Sequence, residues 1–216
     1  MPTQIAFLLY DNMTALDIVG PYEVLARLPD ADVKFVASSP GAISTDAGIT
    51  LTADYALDDV PAPDIIVVPG GPGTAQALGD EATIAWLRSA HASARWTTSV
   101  CSGALLLGAA GLLEGKRATT HWIVREALRG FGAEPVGERV VIEGDVITAA
   151  GVSSGIDMAL MLAAAEAGEG EAHALQLLIE YDPQPPFDAG APEKTDARTQ
   201  QRATELLIAA APDIAK

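Results

Sequence analysis

Four short apolar runs punctuate the first hundred positions: Ile5 to Leu9, Val33 to Ser38, Asp64 to Val68 and Trp96 to Val100, each bounded by Gly, Pro or Asp. Continuous rather than alternating runs of this length predict strands covered on both faces. Between them the spacing of apolar residues predicts helices over Leu16 to Leu28, Glu81 to Ala94 and Ser102 to Leu113. Strands alternating with helices imply a largely parallel sheet inside a three-layer α/β/α sandwich. Further on, Glu143, Gly144 and Asp145 separate two β-prone runs between Arg139 and Thr148, which predicts an antiparallel hairpin on one edge. Helices follow over Ser154 to Ala167 and Glu171 to Tyr181. Pro183, Pro185, Pro186 and Pro192 mark an irregular crossing before a last helix, Asp196 to Ala210, expected to pack back on the body or on a partner subunit. No internal repeat or low-complexity linker interrupts the chain, so residues 1–216 read as a single domain.

Composition narrows the function classes. Apolar residues make up 49% and charged residues 19%, which suits a large buried core. No run reaches the roughly 18 apolar residues of a membrane span, and Met1 to Gln4 lack the basic start of a secretory signal. Both point to a cytoplasmic protein. Against 13 basic residues stand 29 acidic ones, a net charge of −16 that repels nucleic acid and anionic lipid. Such a surface is also simply a soluble one. The single cysteine excludes an internal disulfide and a cysteine-based zinc site, and no histidines and carboxylates show metal-ligand spacing. Neither a metal nor any other cofactor is expected.

That cysteine stands where chemistry is easiest to build. Thr97 to Val100 is β-prone, Cys101 ends it, and Ser102-Gly103 opens a helical run. Carboxyl ends of parallel strands face the ligand crevice. Backbone N–H groups at a helix start stabilise a thiolate and lower its pKa. A lone cysteine is otherwise a small buried hydrophobe; the strand-Cys-Ser-Gly-helix context favours the nucleophile. Pro69-Gly70-Gly71-Pro72-Gly73 follows another apolar strand, and the amides of Gly70 and Gly71 could cradle a ligand atom, although an ordinary tight turn reads the same way. Asp17, among Leu16, Ile18 and Val19 and after a candidate N-cap at Thr14, is either a helix-dipole partner or a desolvated acid that stays protonated near neutrality.

These segments resemble the DJ-1/PfpI superfamily over nearly the whole chain. The likeness is carried by Ala15-Leu16-Asp17 with Gly20 to Leu25, Pro69-Gly70-Gly71, Ser99-Val100-Cys101-Ser102-Gly103, Gly115 to Trp122 and Gly151 to Asp157. It implies the flavodoxin-like fold shared with class I glutamine amidotransferases. Within the superfamily the segments look like isocyanide hydratases and the ligand half of AraC-type regulators, through Ala118-Thr119-Thr120-His121-Trp122 and the Glu180 to Phe187 stretch. The regulators carry a further helix-turn-helix domain that these 216 residues do not include.

The resemblance implies Cys101 as nucleophile and Asp17 as general acid and base, with Gly70, Gly71, Ser102 and Val152 against a small-molecule substrate. It implies hydration of an isocyanide to an N-substituted formamide through a thioimidate, in a homodimer. Protease-like members have histidine directly after the nucleophile, where Ser102 stands here; hydratase-like members usually have threonine. His121 reads as structural, and His91 and His173 as peripheral. Two other readings stay open: a ligand-binding or regulatory module without catalysis, and DJ-1-like glyoxalase or redox-sensing chemistry at the same sulfur.

Overall fold

A computed structural model describes residues 2–210. β1 (Thr3–Leu8) leads through α1 (Ala15–Leu25) to β2 (Ala31–Ala37). The short strands β3 (Gly41–Ser44), β4 (Thr50–Ala53) and β5 (Tyr55–Ala56) precede β6 (Ile65–Val68). Next come α2 (Thr74–Ala77), α3 (Glu81–His91), β7 (Trp96–Val100), α4 (Gly103–Ala109), β8 (Arg117–Ala118) and β9 (Glu134–Pro135). The hairpin β10 (Val140–Glu143) and β11 (Val146–Ala149) is followed by α5 (Ser154–Ala167), α6 (Glu169–Leu178) and α7 (Ala197–Ala210).

Seven strands form the central sheet in the order β10-β11-β7-β6-β1-β2-β5, parallel except where β10 pairs with β11. β1 shows why both faces are covered. Ile5 and Phe7 point into a core shared with α1, α5 and α6, while Ala6 and Leu8 point into a core built with α3 and α4. This period of two puts every residue of the run in apolar surroundings. Phe7 sits edge-on to Tyr22 of α1, ring centroids 6.0 Å apart, and burying a side chain of that size stabilises the fold by about 1.5–3 kcal/mol.

The chain leaves β1 toward β2 on one side and later returns to β6 on the other. Strand order therefore reverses between β1 and β6, where the loops at the strands' carboxyl ends splay apart and leave a crevice. The segment after β1, the loop after β6 and the turn after β7 all lie at that end.

Several expectations shift. α4 stops at Ala109 rather than Leu113, because Gly111 adopts the left-handed conformation at φ 79°. The β3/β4 ribbon and a ten-residue 3₁₀ segment, Trp122–Phe131, are not among the elements expected from the sequence. The edge hairpin stands where Gly144 permits its turn, at φ 67°. None of the residues of α7 is buried, and Leu206 and Ile208 face outward. Of the two packings expected for that helix, on the body or on a partner subunit, the first is absent among the described residues. No helix among those residues is long and apolar enough to cross a membrane.

Candidate active site

Cys101 occupies the turn from β7 to α4 in the left-handed region, φ 56°, a conformation costing a non-glycine residue roughly 1–2 kcal/mol. Its surroundings hold it there. The Cys101 N–H donates to the Ala150 carbonyl at 2.7 Å, and its own carbonyl accepts the Thr120 hydroxyl at 2.6 Å. The helix can start so close to β6 only because position 103 is glycine: a Cβ there would stand 2.4 Å from the Val68 carbonyl oxygen. Cys101 and Ser102 are buried, 6% and 8% exposed.

Asp17, in the first turn of α1, is fully buried. Its Oδ2 accepts the Gly70 N–H at 2.8 Å. Oδ1 has no hydrogen-bond partner among the described residues. Burial pushes the Asp17 pKa up to about 7; the Gly70 N–H pulls it down, the charge of Asp46 raises it, and the Cys101 side chain lowers it. Thr14 does precede α1, but its hydroxyl makes no cap and binds Asp46 at 2.7 Å instead.

The sulfur departs from the sequence expectation. Burial raises the Cys101 pKa, and the nearby charge of Asp17 raises it further. The Ser102 N–H, the Ser102 hydroxyl and the Val152 N–H oppose both without overcoming them. The stabilising donors are there; desolvation of the charged form outweighs them. Because each group changes the other's proton affinity, Asp17 and Cys101 titrate as one coupled pair. Asp17 gives up its proton before the sulfur does, so around neutrality the pair carries one or two protons. A carboxylate beside a thiol and a carboxylic acid beside a thiolate are two forms of the singly protonated pair.

The glycine loop is tied into the protein on both sides. The amides of Gly70 and Gly71 are engaged inside the protein, Gly70 with Asp17 and Gly71 with the Ser102 hydroxyl at 2.9 Å. They fix the acid and the serine in place. Gly70 is required for close approach, since a Cβ would lie 2.3 Å from the Ser102 nitrogen and 2.9 Å from Cys101 Cβ. The Val152 N–H acts on the sulfur, lowering its proton affinity.

The Ser102 hydroxyl continues into a chain that sequence reading does not single out. It meets Thr74 Oγ1 at 2.8 Å, which meets the Tyr10 hydroxyl at 3.1 Å, which donates to the Pro69 carbonyl at 2.8 Å. The available signal is faint: a threonine directly after the glycine loop and a tyrosine at the end of an apolar run. His121 caps the 3₁₀ segment by accepting the Ile123 N–H at 3.4 Å and packs beside Gly151, consistent with its structural reading. His91 hydrogen-bonds Thr97 at 2.9 Å and His173 is exposed. A separate groove of about 490 Å³ lies between α1, α5 and α6, and neither Cys101 nor Asp17 lines it.

The DJ-1/PfpI family matches residues 3–165. An isonitrile hydratase from Pseudomonas putida is 47% identical over 193 residues, covering 89% of this chain and 85% of that protein. The HTH-type transcriptional regulator CdhR from Pseudomonas aeruginosa is 28% identical over 185 residues, 82% of this chain and 53% of the regulator. Among solved structures, a ThiJ/PfpI family protein from Pseudomonas syringae superposes with a TM-score of 0.92 at 40% identity, covering 97% of this chain and 87% of that one. The chain belongs to the DJ-1/PfpI family.

Proposed function

We propose that this member of the DJ-1/PfpI family is an isocyanide hydratase, with Cys101 as nucleophile and Asp17 as its proton carrier. The observation that carries the reading is the coupled buried pair: a sulfur held on a strained turn and an acid with one engaged and one unengaged oxygen, sharing their protons. The 47% identity to an isonitrile hydratase over most of both chains supports the same reading.

An isocyanide suits this pair because its terminal carbon both accepts a proton and is attacked by a nucleophile. Cys101 forms the S–C bond while the proton of the pair, passed through Asp17, reaches that same carbon, giving a thioimidate R–N=CH–S. Asp17, now a carboxylate, takes a proton from an incoming water as its oxygen adds to the thioimidate carbon. That proton goes to nitrogen. The C–S bond then breaks as the second water proton returns to sulfur, leaving R–NH–CHO and the thiol. Atoms balance as isocyanide plus water to formamide, with no redox step. The Ser102 and Val152 N–H groups, which already face the sulfur, steady its charge whenever the proton sits on Asp17.

The test is formamide formation, followed by proton NMR, when purified protein meets an alkyl isocyanide and an aryl isocyanide, with methylglyoxal assayed in parallel. Formamide from at least one isocyanide, faster than any methylglyoxal consumption, is expected. No conversion of either isocyanide alongside conversion of methylglyoxal would replace the hydratase reading with a glyoxalase one.

A further inference from the structure

The chain of hydroxyls behind the nucleophile has fewer protons than hydrogen-bonding contacts, and this makes its direction reversible. Each hydroxyl donates once and accepts up to twice. Tyr10 spends its proton on the Pro69 carbonyl, 2.8 Å away, so at its 3.1 Å contact with Thr74 it accepts. Ser102 accepts from the Gly71 N–H. Thr74 therefore has one proton for two neighbours, Tyr10 and Ser102. When Thr74 donates to Tyr10, Ser102 donates to Thr74 and its proton points away from Cys101. When Thr74 donates to Ser102, the serine proton is released; its one other outlet among these contacts is the Gly71 carbonyl at a long 3.4 Å.

We propose that Tyr10, Thr74 and Ser102 form a reversible hydroxyl switch in which Tyr10 and Thr74 are positioning residues: the chain runs toward Tyr10 while Cys101 is a thiol and flips toward the sulfur when Cys101 ionises. Toward Tyr10 the chain holds three hydrogen bonds; flipped, it holds two and makes the third to the sulfur, so the flip exchanges the Thr74–Tyr10 hydrogen bond for one to the thiolate. A buried thiolate gains much from each donor, because burial and Asp17 both work against its charge. The side chains are well enclosed, Thr74 at 4% and Ser102 at 8% exposed, so neighbouring side chains rather than bulk water decide the direction. Charged or titratable groups facing the sulfur and the switch are Asp17 on α1, Asp46 after β3, Tyr10 itself, and His121 packed on Gly151 beside Val152.

The inference rests on Cys101 as nucleophile and not on the substrate being an isocyanide, so its readout is alkylation. The rate of Cys101 modification by iodoacetamide is measured against pH for wild type, Tyr10→Phe, Ser102→Ala, the double variant and Thr74→Ser. Tyr10→Phe removes the acceptor that draws the chain away from the sulfur; the apparent thiol pKa falls, and alkylation below that pKa is about three- to tenfold faster. Ser102→Ala removes the delivered donor and shifts the pKa upward by a similar amount. Adding Tyr10→Phe to Ser102→Ala changes nothing further, and Thr74→Ser behaves as wild type. A rise for Tyr10→Phe, or the same Tyr10→Phe shift with and without Ser102, overturns the switch. Loss of hydratase activity cannot mimic either result.

Discussion

One oxygen of Asp17 is tied to the Gly70 amide at 2.8 Å, which orients the carboxyl group and leaves Oδ1 without a partner among the described residues. A buried carboxyl oxygen with nothing to bond is costly unless it carries or receives a proton. That cost, met at a position beside the sulfur, supports the proton-carrier role proposed for Asp17.

Gly70→Ala is expected to reduce turnover by at least about a hundredfold, because the new Cβ would meet the Ser102 nitrogen at 2.3 Å and the Ser102 hydroxyl at 2.5 Å. Relieving that overlap displaces the amide that orients Asp17 and costs about 1–3 kcal/mol of stability. Steady-state kinetics and urea unfolding check both. Near-normal turnover would mean that the close approach of the two loops is not needed.

The pH profile follows from the shared protons. With Asp17 pushed up to about 7, the pair is doubly protonated below that pH and singly protonated above it. Only the singly protonated pair offers a thiolate beside an acid, so kcat/KM is expected to rise through about pH 7 and then level. Asp46→Asn removes a charge that raises the Asp17 pKa; the rising limb moves to lower pH. A limb that stays in place in this variant would remove Asp46 from the account.

The same group gives a stability prediction of definite sign. The folded pKa of Asp17 lies above the unfolded value of 3.8, so the unfolded state binds fewer protons and stability falls as pH rises through about 7. At about 1.4 kcal/mol per pKa unit the deficit above pH 7 is on the order of 4 kcal/mol. Asp17→Asn carries no such charge. Its melting temperature relative to wild type should therefore be distinctly more favourable at pH 8.5 than at pH 5, in thermal denaturation at matched salt. An equal difference at both pH values would mean that Asp17 is not desolvated.

The local setting of Cys101 is more legible in the sequence than its electrostatics. β6 and β7 announce themselves as short apolar or β-prone runs, and the Cys-Ser-Gly step after β7 marks the tight turn because a Cβ at position 103 would stand 2.4 Å from the Val68 carbonyl oxygen. Ser154 to Ala167 is helical over that same range, since its run of Ala, Leu and Met favours helix and no proline interrupts it. The raised pKa of Cys101 is a different matter: it depends on how much water β11, α1 and the glycine loop exclude together, which no linear pattern records. The engagement of Gly70 and Gly71 by Asp17 and Ser102 is likewise a long-range pairing, separated by 53 and 31 positions. Tyr10 and Thr74 read as ordinary loop residues until the sheet brings them together, 64 positions apart. The segment Trp122–Phe131 winds as a 3₁₀ helix although Val124, Leu128 and Phe131 recur at the spacing of an amphipathic α-helix, so its sequence does not announce the tighter winding.

The comparison that bears most directly on the whole account is isocyanide hydration by wild type and by Cys101→Ala at equal concentration near pH 8. Cys101 is buried and alanine fills nearly the same space, so the variant is expected to fold, which circular dichroism verifies. Removal of the sulfur should bring formamide production down to the rate without protein. Formamide formed by the alanine variant at the wild-type rate would show that this sulfur takes no part in the reaction.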